Sequence, residues 1–409
     1  MREHRLVKSL RQFNLSDVSR IFGEDYRFTF DADALAPIHK VAIFAESFFP
    51  RFDGVAQTAY ITLRYLQETG REVLVFAGDT APTHIGASRV VPLPSVGVRP
   101  VPDFRVGLPV NAVARNLRTF QPDIIHMFAP FLFSLRGIYF GRKGHIPLIG
   151  NYQTDLPRYL RYYRAGYLQR PVRRYFRYVH NHCDLTLVPS RFTLKQLDRL
   201  RYRRLNYWQH GVNDQRFNPA HRTAEWRARL LNGRDPSSLL CIFVGRLASE
   251  KNIEALVGVA HLPGVALTII GDGPKAEHLR RRFAGTGTYF TGALFGHDLA
   301  RAYASADVFV FPSLTETFGL VVLEAMASGL PAVVRSYGGV TDLITEGETG
   351  WICENNVALM AGVARLRDHP DLRLAMAQRV RQEAEERTWN GVMAELERYY
   401  LAALASLPR

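Results

Sequence analysis

This sequence predicts two doubly wound α/β domains of similar size, and three observations carry the prediction. From Lys40 onward, short apolar runs alternate with helical stretches, the pattern of βαβ units and a parallel sheet. The alternation resets across residues 211–219, a Gly/Asn/Pro-containing connector, and then runs a second time. The length of 409 residues suits two or three domains at roughly 100–200 residues each. Sheets of this kind bind ligands beyond the carboxyl ends of their strands, so the site is expected in a cleft between the domains.

The elements follow in order. Residues 1–38 read as an irregular, basic N-terminal extension, weakly helical over 7–22. The first domain is placed at 39–208. It opens on an apolar strand at 41–45, which runs into a loop with Pro50, Asp53 and Gly54. A helix then extends to Gln67, and Gly70 is a natural stop. Strands are expected at 73–77, 123–127, 146–150 and 185–188, with helices at 111–119, 134–142 and from Ser190. The second domain, 209–389, has strands expected at 239–244, 265–270, 308–311 and 332–334, with helices from Asn252, Pro274 and Phe318. A last helix within 390–409 has no strand after it and is assigned back to the first domain.

Composition limits the function classes. Hydrophobic residues make up 47% and charged residues 22%, which excludes a disordered chain. Cys183, Cys241 and Cys353 are odd in number and far apart, which argues against a disulfide framework or a cysteine zinc site and fits a reducing compartment. The greasiest stretch, 127–135, is broken by Pro130 and too short to span a bilayer. A cytoplasmic protein is expected, soluble or attached only at a membrane surface.

The net charge of +14 is not evenly spread. Residues 1–210 hold 31 Lys+Arg against 16 Asp+Glu, while 211–409 hold 21 against 22. The densest segment, from Arg158 to Tyr178, carries seven arginines and six tyrosines with no acidic residue. Arginine clusters bind nucleic-acid phosphates. Arg with Tyr also suits an anionic membrane surface, where Tyr sits at headgroup level. The bland alternative is a solvated helical face with the tyrosines packed inward.

The second domain holds the strongest motif, residues 312–329. Glu316 lies in a loop after a strand, and Phe318, Gly319 and Leu320 open a helix, a natural anion site that Gly319 leaves accessible. Glu324 falls inside that helix among apolar residues, so it needs a partner: a ribose diol or a buried salt bridge. Arg246 and Lys251 lie between a strand and a helix, where two cations can neutralise a leaving diphosphate, unless they are solvated surface charge. Gly273, in the turn 271–274, suits a floor under a nucleotide base. In the first domain the Gly54 loop either brings N–H groups to a phosphate or is a simple turn. His126 ends the strand 123–127 on the expected cleft side, or it is structural. No P-loop, nucleophile motif or metal-ligand spacing is present.

Over residues 40–405 the chain resembles the retaining glycosyltransferases of family 4, which have the GT-B fold of two Rossmann-like domains facing across a cleft. The elements that carry this are Glu316 through Gly329 with its Glu-x7-Glu spacing, residues 245–251, residues 271–274, and Thr291-Gly292. Within that family, Pro122-Asp123-Ile124-Ile125-His126, residues 184–190, residues 207–212 and residues 302–310 are similar to sulfoquinovosyl transferases of sulfolipid synthesis. Gln153-Thr154-Asp155 is similar instead to GDP-mannose-dependent mannosyltransferases, and Gln153 and Asp155 become acceptor-side candidates.

The resemblance implies a metal-independent, retaining hexosyltransferase that needs no cofactor beyond its nucleotide diphosphate sugar donor. It implies that Glu324 holds the ribose and that Arg246 and Lys251 hold the diphosphate. Glu316 with the N–H groups of Phe318 and Gly319 would hold the sugar, His126 would reach the sugar from the other domain, and Gly54 would approach the phosphate. With the basic first half, the expected partners are a lipid acceptor of diacylglycerol type and an anionic membrane surface met by Arg158–Tyr178, on the inner face of the cell membrane. An NDP-sugar 2-epimerase is the enzymic rival. A nucleic-acid-binding protein leaves the Glu316–Glu324 block unexplained.

Overall fold

The computed structural model describes residues 26–31, 33–49, 53–97, 105–163 and 165–406. The chain divides into two compact units. Residues up to His210, joined by those from Asn390 on, form the first, and Gly211–Trp389 form the second.

The strands of the first unit are β1 (Lys40–Ala45), β2 (Glu72–Gly78), β3 (His84–Ile85), β4 (Ser88–Leu93), β5 (Ser95–Gly97), β6 (Arg105–Gly107), β7 (Ile124–Phe128), β8 (Leu148–Asn151), β9 (Leu185–Val188) and β10 (Leu205–Tyr207). Eight of them form one sheet in the order β10-β9-β8-β7-β1-β2-β4-β3, parallel except for the β3–β4 pair at one edge. β1 is buried throughout its last five residues, as a strand covered on both faces must be. Strand order reverses between β1 and β7, so the crevice at their carboxyl ends is this unit's topological switch point.

The second unit contains β11 (Leu239–Val244), β12 (Val265–Ile270), β13 (Tyr289–Gly292), β14 (Val308–Phe311), β15 (Ala332–Arg335) and β16 (Gly350–Cys353). They form a wholly parallel sheet in the order β13-β12-β11-β14-β15-β16, the doubly wound arrangement, with its switch point between β11 and β14.

The apolar runs mark the strands well: all nine expected strands end within one residue of the observed ones, and four match at both bounds. Others were not expected. β4, β10, β13 and β16 are edge or near-edge strands with mixed composition. The expected helix from Asn252 is instead two 3-10 turns, Ser249–Lys251 and Ile253–Leu256, before a short helix Val257–Ala260. Asn252 sits between them in left-handed geometry (φ 53°), which interrupts a continuous helix.

The last helix, Trp389–Ala405, belongs mostly to the first unit. Trp208 Nε1 donates to Val392 O (3.0 Å), Tyr65 Oη to Glu397 (2.5 Å) and Tyr399 Oη to Tyr207 O (2.6 Å). Residues 26–38 are more than an extension. Tyr26, Leu35 and Ile38 are buried, the Tyr26 hydroxyl accepts from the N–H of Asn390 (3.0 Å), and Phe28 meets Tyr65 edge-on. The helix expected at 7–22 lies outside the described residues.

Candidate functional site

In the second unit the sequence motifs converge on the carboxyl ends of β11, β12 and β14. β11 ends at Val244, and Gly245 and Leu247 then run directly against the turn after β12. Leu247 N–H donates to Asp272 O (2.9 Å), and Lys275 N–H donates back to Leu247 O (2.9 Å). A Cβ on Gly273 would lie 2.6 Å from Leu247 O, and one on Gly271 2.0 Å from Gly245 O. Both positions also have φ in the left-handed range (157° and 144°), so glycine is required by conformation and by space.

Lys251 and Glu316 come from opposite sides of the switch point and form an ion pair of 2.6 Å, both side chains mostly buried. Ser313 Oγ donates to the same Glu316 oxygen at 2.7 Å. The Lys251 ammonium also lies over the Phe311 ring, 5.8 Å from its centre. Arg246 approaches Glu250 more loosely, 3.7 Å, and keeps 30% of its side chain exposed. The two cations are therefore not surface charge. Each is held beside a carboxylate at the rim of the sheet.

Glu316 is held from behind. Gly339 N–H donates to Glu316 O (2.8 Å), and a Cβ on Gly339 would fall 2.1 Å from Thr317 O. The helix Leu320–Ala327 starts at Gly319, whose φ of 104° places it in the left-handed region and which offers no capping side chain. Glu324 is buried in that helix. Tyr303 Oη lies 3.2 Å from its Oε2. Burial drives its pKa up to about 7, against the opposing effects of Tyr303 and of the Arg216 charge. Sequence reasoning missed Ser313, Glu250, Tyr303 and Arg216. Of the supporting features, the Gly338-Gly339 pair was the one with a visible signal, since paired glycines mark close backbone approach.

The first unit departs more from expectation. His126 is in the middle of β7, not at its end, and it is fully buried. Its Nδ1 lies 2.8 Å from Tyr400 Oη, and Phe128 and Trp208 pack on the ring. Burial lowers its pKa to about 4. A ring so enclosed holds the C-terminal helix to the sheet, and its place within β7 corrects the expectation that it ends the strand. Gly54 opens the helix Gly54–Glu68 and is exposed, yet Asp53 caps that helix, accepting from Val55 N–H (3.1 Å) and Ala56 N–H (2.9 Å). The N–H groups of Val55 and Ala56 are thus already paired within the first turn.

Gln153 and Asp155 follow β8. Gln153 is buried, and Asp155 caps the short helix Leu156–Tyr159 and accepts from Tyr152 Oη (3.2 Å). Burial raises the Asp155 pKa.

The segment Arg158–Tyr178 divides into two faces; Arg164 lies outside the described residues. Tyr159, Tyr163 and Tyr175 pack inward, and Tyr175 Oη donates to Phe131 O (3.0 Å). Arg161 bonds Gln169 (2.8 Å), and Arg177 bonds Leu200 O (3.3 Å). Outward stand Tyr167 (79% exposed) and Tyr178 (56%), with Leu168, Arg170 and Arg174. Among the described residues no helix is long and apolar enough to cross a membrane, and no group of three or more His, Cys, Asp or Glu is placed to hold a metal ion.

Residues 226–383 match the family model described as glycosyl transferases group 1, and residues 52–216 match glycosyltransferase family 4. The chain is 38% identical over 372 residues to a GDP-mannose-dependent alpha-mannosyltransferase of Mycobacterium tuberculosis, covering 89% of this chain and 96% of that protein. It is 35% identical over 384 residues to a sulfoquinovosyl transferase of Arabidopsis thaliana (90% and 74% covered). It is 27% identical over 325 residues to an alpha-monoglucosyldiacylglycerol synthase of Streptococcus pneumoniae (75% and 73%). Sucrose-phosphate synthase from Thermosynechococcus elongatus shares the fold, with a TM-score of 0.76 at 21% identity over 90% of this chain and 100% of that one. With two doubly wound units, the motif residues gathered at the second unit's switch point and these matches along its length, the chain belongs to the GT-B glycosyltransferases that join a family 4 domain to a group 1 domain and use nucleotide diphosphate sugars.

Proposed function

We propose that the chain transfers a hexose, with retained configuration, from a nucleotide diphosphate sugar to a lipid acceptor of the diacylglycerol type at a membrane surface. The observation that carries the donor half is the Lys251–Glu316–Ser313 cluster at the β11/β14 switch point. Lys251 and Arg246 neutralise the diphosphate as it leaves, which stabilises charge where it develops. Glu316 holds the sugar with the helix start at Phe318 and Gly319, and Glu324 takes the ribose. The leaving phosphate receives the acceptor's proton in a front-face reaction. No cofactor or metal enters this scheme.

The acceptor half is supported by the outward Tyr167, Tyr178, Arg170 and Arg174 and by the similarity to an alpha-monoglucosyldiacylglycerol synthase. A lipid's acyl chains are costly to expose to water, so the enzyme gains by meeting its acceptor at the bilayer. GDP-mannose is the first donor to test, given the Gln153-Thr154-Asp155 triplet and the 38% identical relative. Sulfoquinovosyl transfer is the second reading, favoured by the 35% identical relative.

The test is incubation of the purified chain with GDP-mannose, UDP-glucose or UDP-sulfoquinovose and diacylglycerol-containing vesicles, with and without EDTA. Product is read by mass spectrometry. A glycolipid from one donor, unchanged by EDTA, is the expected result. An epimerised donor, or no glycolipid from any donor, overturns the lipid reading, and loss with EDTA restored by manganese overturns the metal-free one.

A further inference from the structure

The first unit has its own switch point between β1 and β7, and an acidic residue stands at it. Glu46 directly follows β1, at the end that faces the loop after β7. Its Oε1 accepts from the N–H of Phe131 (3.1 Å), with Ser134 Oγ 3.4 Å away, just where the helix Ser134–Gly144 begins. Its Oε2 is buried and has no hydrogen-bond partner. An unpaired buried carboxyl oxygen is costly, so a structure that only needed a loop tie would place a residue with one polar atom there.

Two further facts locate this carboxyl. Doubly wound sheets bind their ligands at the switch point, beyond the strand ends. The neighbouring ring is Tyr175, which bonds Phe131 O from the helix Gln169–Asn181. The same helix carries the exposed Arg170, Arg174 and Tyr178. Phe131, whose carbonyl this helix holds through Tyr175, is the residue whose N–H Glu46 accepts from.

We infer that Glu46 is the acceptor-positioning residue of the first unit, its Oε2 taking a hydroxyl of the acceptor's polar head while Oε1 holds the β7 loop in place. This rests on the lipid-acceptor reading above and adds the group that orients the acceptor. Burial raises the Glu46 pKa to about 8, opposed by the N–H groups around it. The titratable group that faces it among the described residues is Tyr175, whose own pKa is pushed up, so it stays neutral. The carboxyl therefore changes charge in the range where an enzyme is assayed, and acceptor binding should feel that change.

The experiment measures initial rates with wild type, Glu46→Gln and Glu46→Ala, varying acceptor and donor separately from pH 6 to 9. Expected are a tenfold or larger rise of acceptor KM in Glu46→Ala, donor KM within twofold, and a wild-type acceptor KM that changes through pH 8. In Glu46→Gln that pH change should be absent. An acceptor KM unaltered in both variants, or a donor KM rising in step with it, overturns the assignment in favour of a loop tie. If neither variant folds, a wild-type acceptor KM that is flat from pH 6 to 9 overturns it alone. Failure of wild type to glycosylate any lipid would instead defeat the acceptor reading, before Glu46 is tested.

Discussion

Lys251 and Glu316 are separated by 65 positions in sequence yet meet at 2.6 Å, and neither alone explains the site. Removing either should cost about 3 kcal/mol or more of transition-state stabilisation, on the order of a hundredfold in kcat/KM. Because the two act as one pair, the double variant should lose much less than the product of the single losses. Steady-state kinetics of Lys251→Ala, Glu316→Ala and the double variant decides this. Near-normal kcat/KM in either single variant would remove the pair from the site. Glu324 makes a second residue-scale prediction. Its pKa is raised in the folded chain, to about 7 from 4.5, so its ionisation opposes folding. The stability at stake is fully present below pH 4.5 and is lost as pH rises through 7. Glu324→Gln should therefore gain on wild type by up to about 3 kcal/mol between pH 4.5 and 7.5. Urea unfolding at both ends of that range would show no such gap if burial were not the cause.

At the scale of an element, the helix Gln169–Asn181 shows why an arginine count overstates a surface. Its sequence offers arginines at 170, 173, 174 and 177. Arg177 is spent on Leu200 O, and Arg173 is half-buried where its charge acts on Asp155. That leaves Arg170 and Arg174 exposed, worth about 2 kcal/mol together on an anionic bilayer at about 1 kcal/mol each. Liposome sedimentation should then show weakened binding for Arg170→Gln/Arg174→Gln. A further loss is expected on changing Tyr167 and Tyr178 to Ser, which removes the interfacial aromatics. Salt should weaken the wild type, since the Debye length falls from about 10 Å at 0.1 M to 3 Å at 1 M. Equal binding to neutral and anionic vesicles would return this helix to a solvated face.

For the molecule as a whole, three histidines buried among the described residues shape its response to acid. Burial lowers His126 to about 4, and His180 and His210 to about 3. Each is neutral when folded and protonates near 6.5 when unfolded. The stability they support is fully present above pH 6.5 and is lost as pH falls toward 4 to 3, at about 1.4 kcal/mol per pH unit for each. Buried carboxyls such as Glu324 act in the opposite sense, so a single substitution is the clean test. His180 is shifted by burial alone and packs against Tyr152 and Phe176. The stability of wild type relative to His180→Gln should shrink steadily from pH 6.5 to 5 and stay constant from 7 to 8. A pH-independent difference would show that His180 is not neutral in the folded chain.

The sequence by itself determined the two α/β units, most buried strands and the second unit's motif residues. It could do so because those features are local. A buried parallel strand is a short apolar run, and a helix start after a strand end needs glycine and a nearby acid within a few residues. The doubly wound fold then carries strand ends to the switch point whatever lies between them. Tertiary structure decided what local pattern cannot express. His126 read as a strand-end ligand because a one-residue shift of β7 was invisible, and its partner Tyr400 is 274 positions away. Asp53 proved to be the cap of the helix that Gly54 opens, a role the sequence did not show because a capping carboxylate and a binding loop share the same residues. Glu46 gave no signal at all. One acidic residue after a strand is unremarkable until β7 is laid beside β1, the loop at Phe131 closes on it, and one oxygen is left buried without a partner.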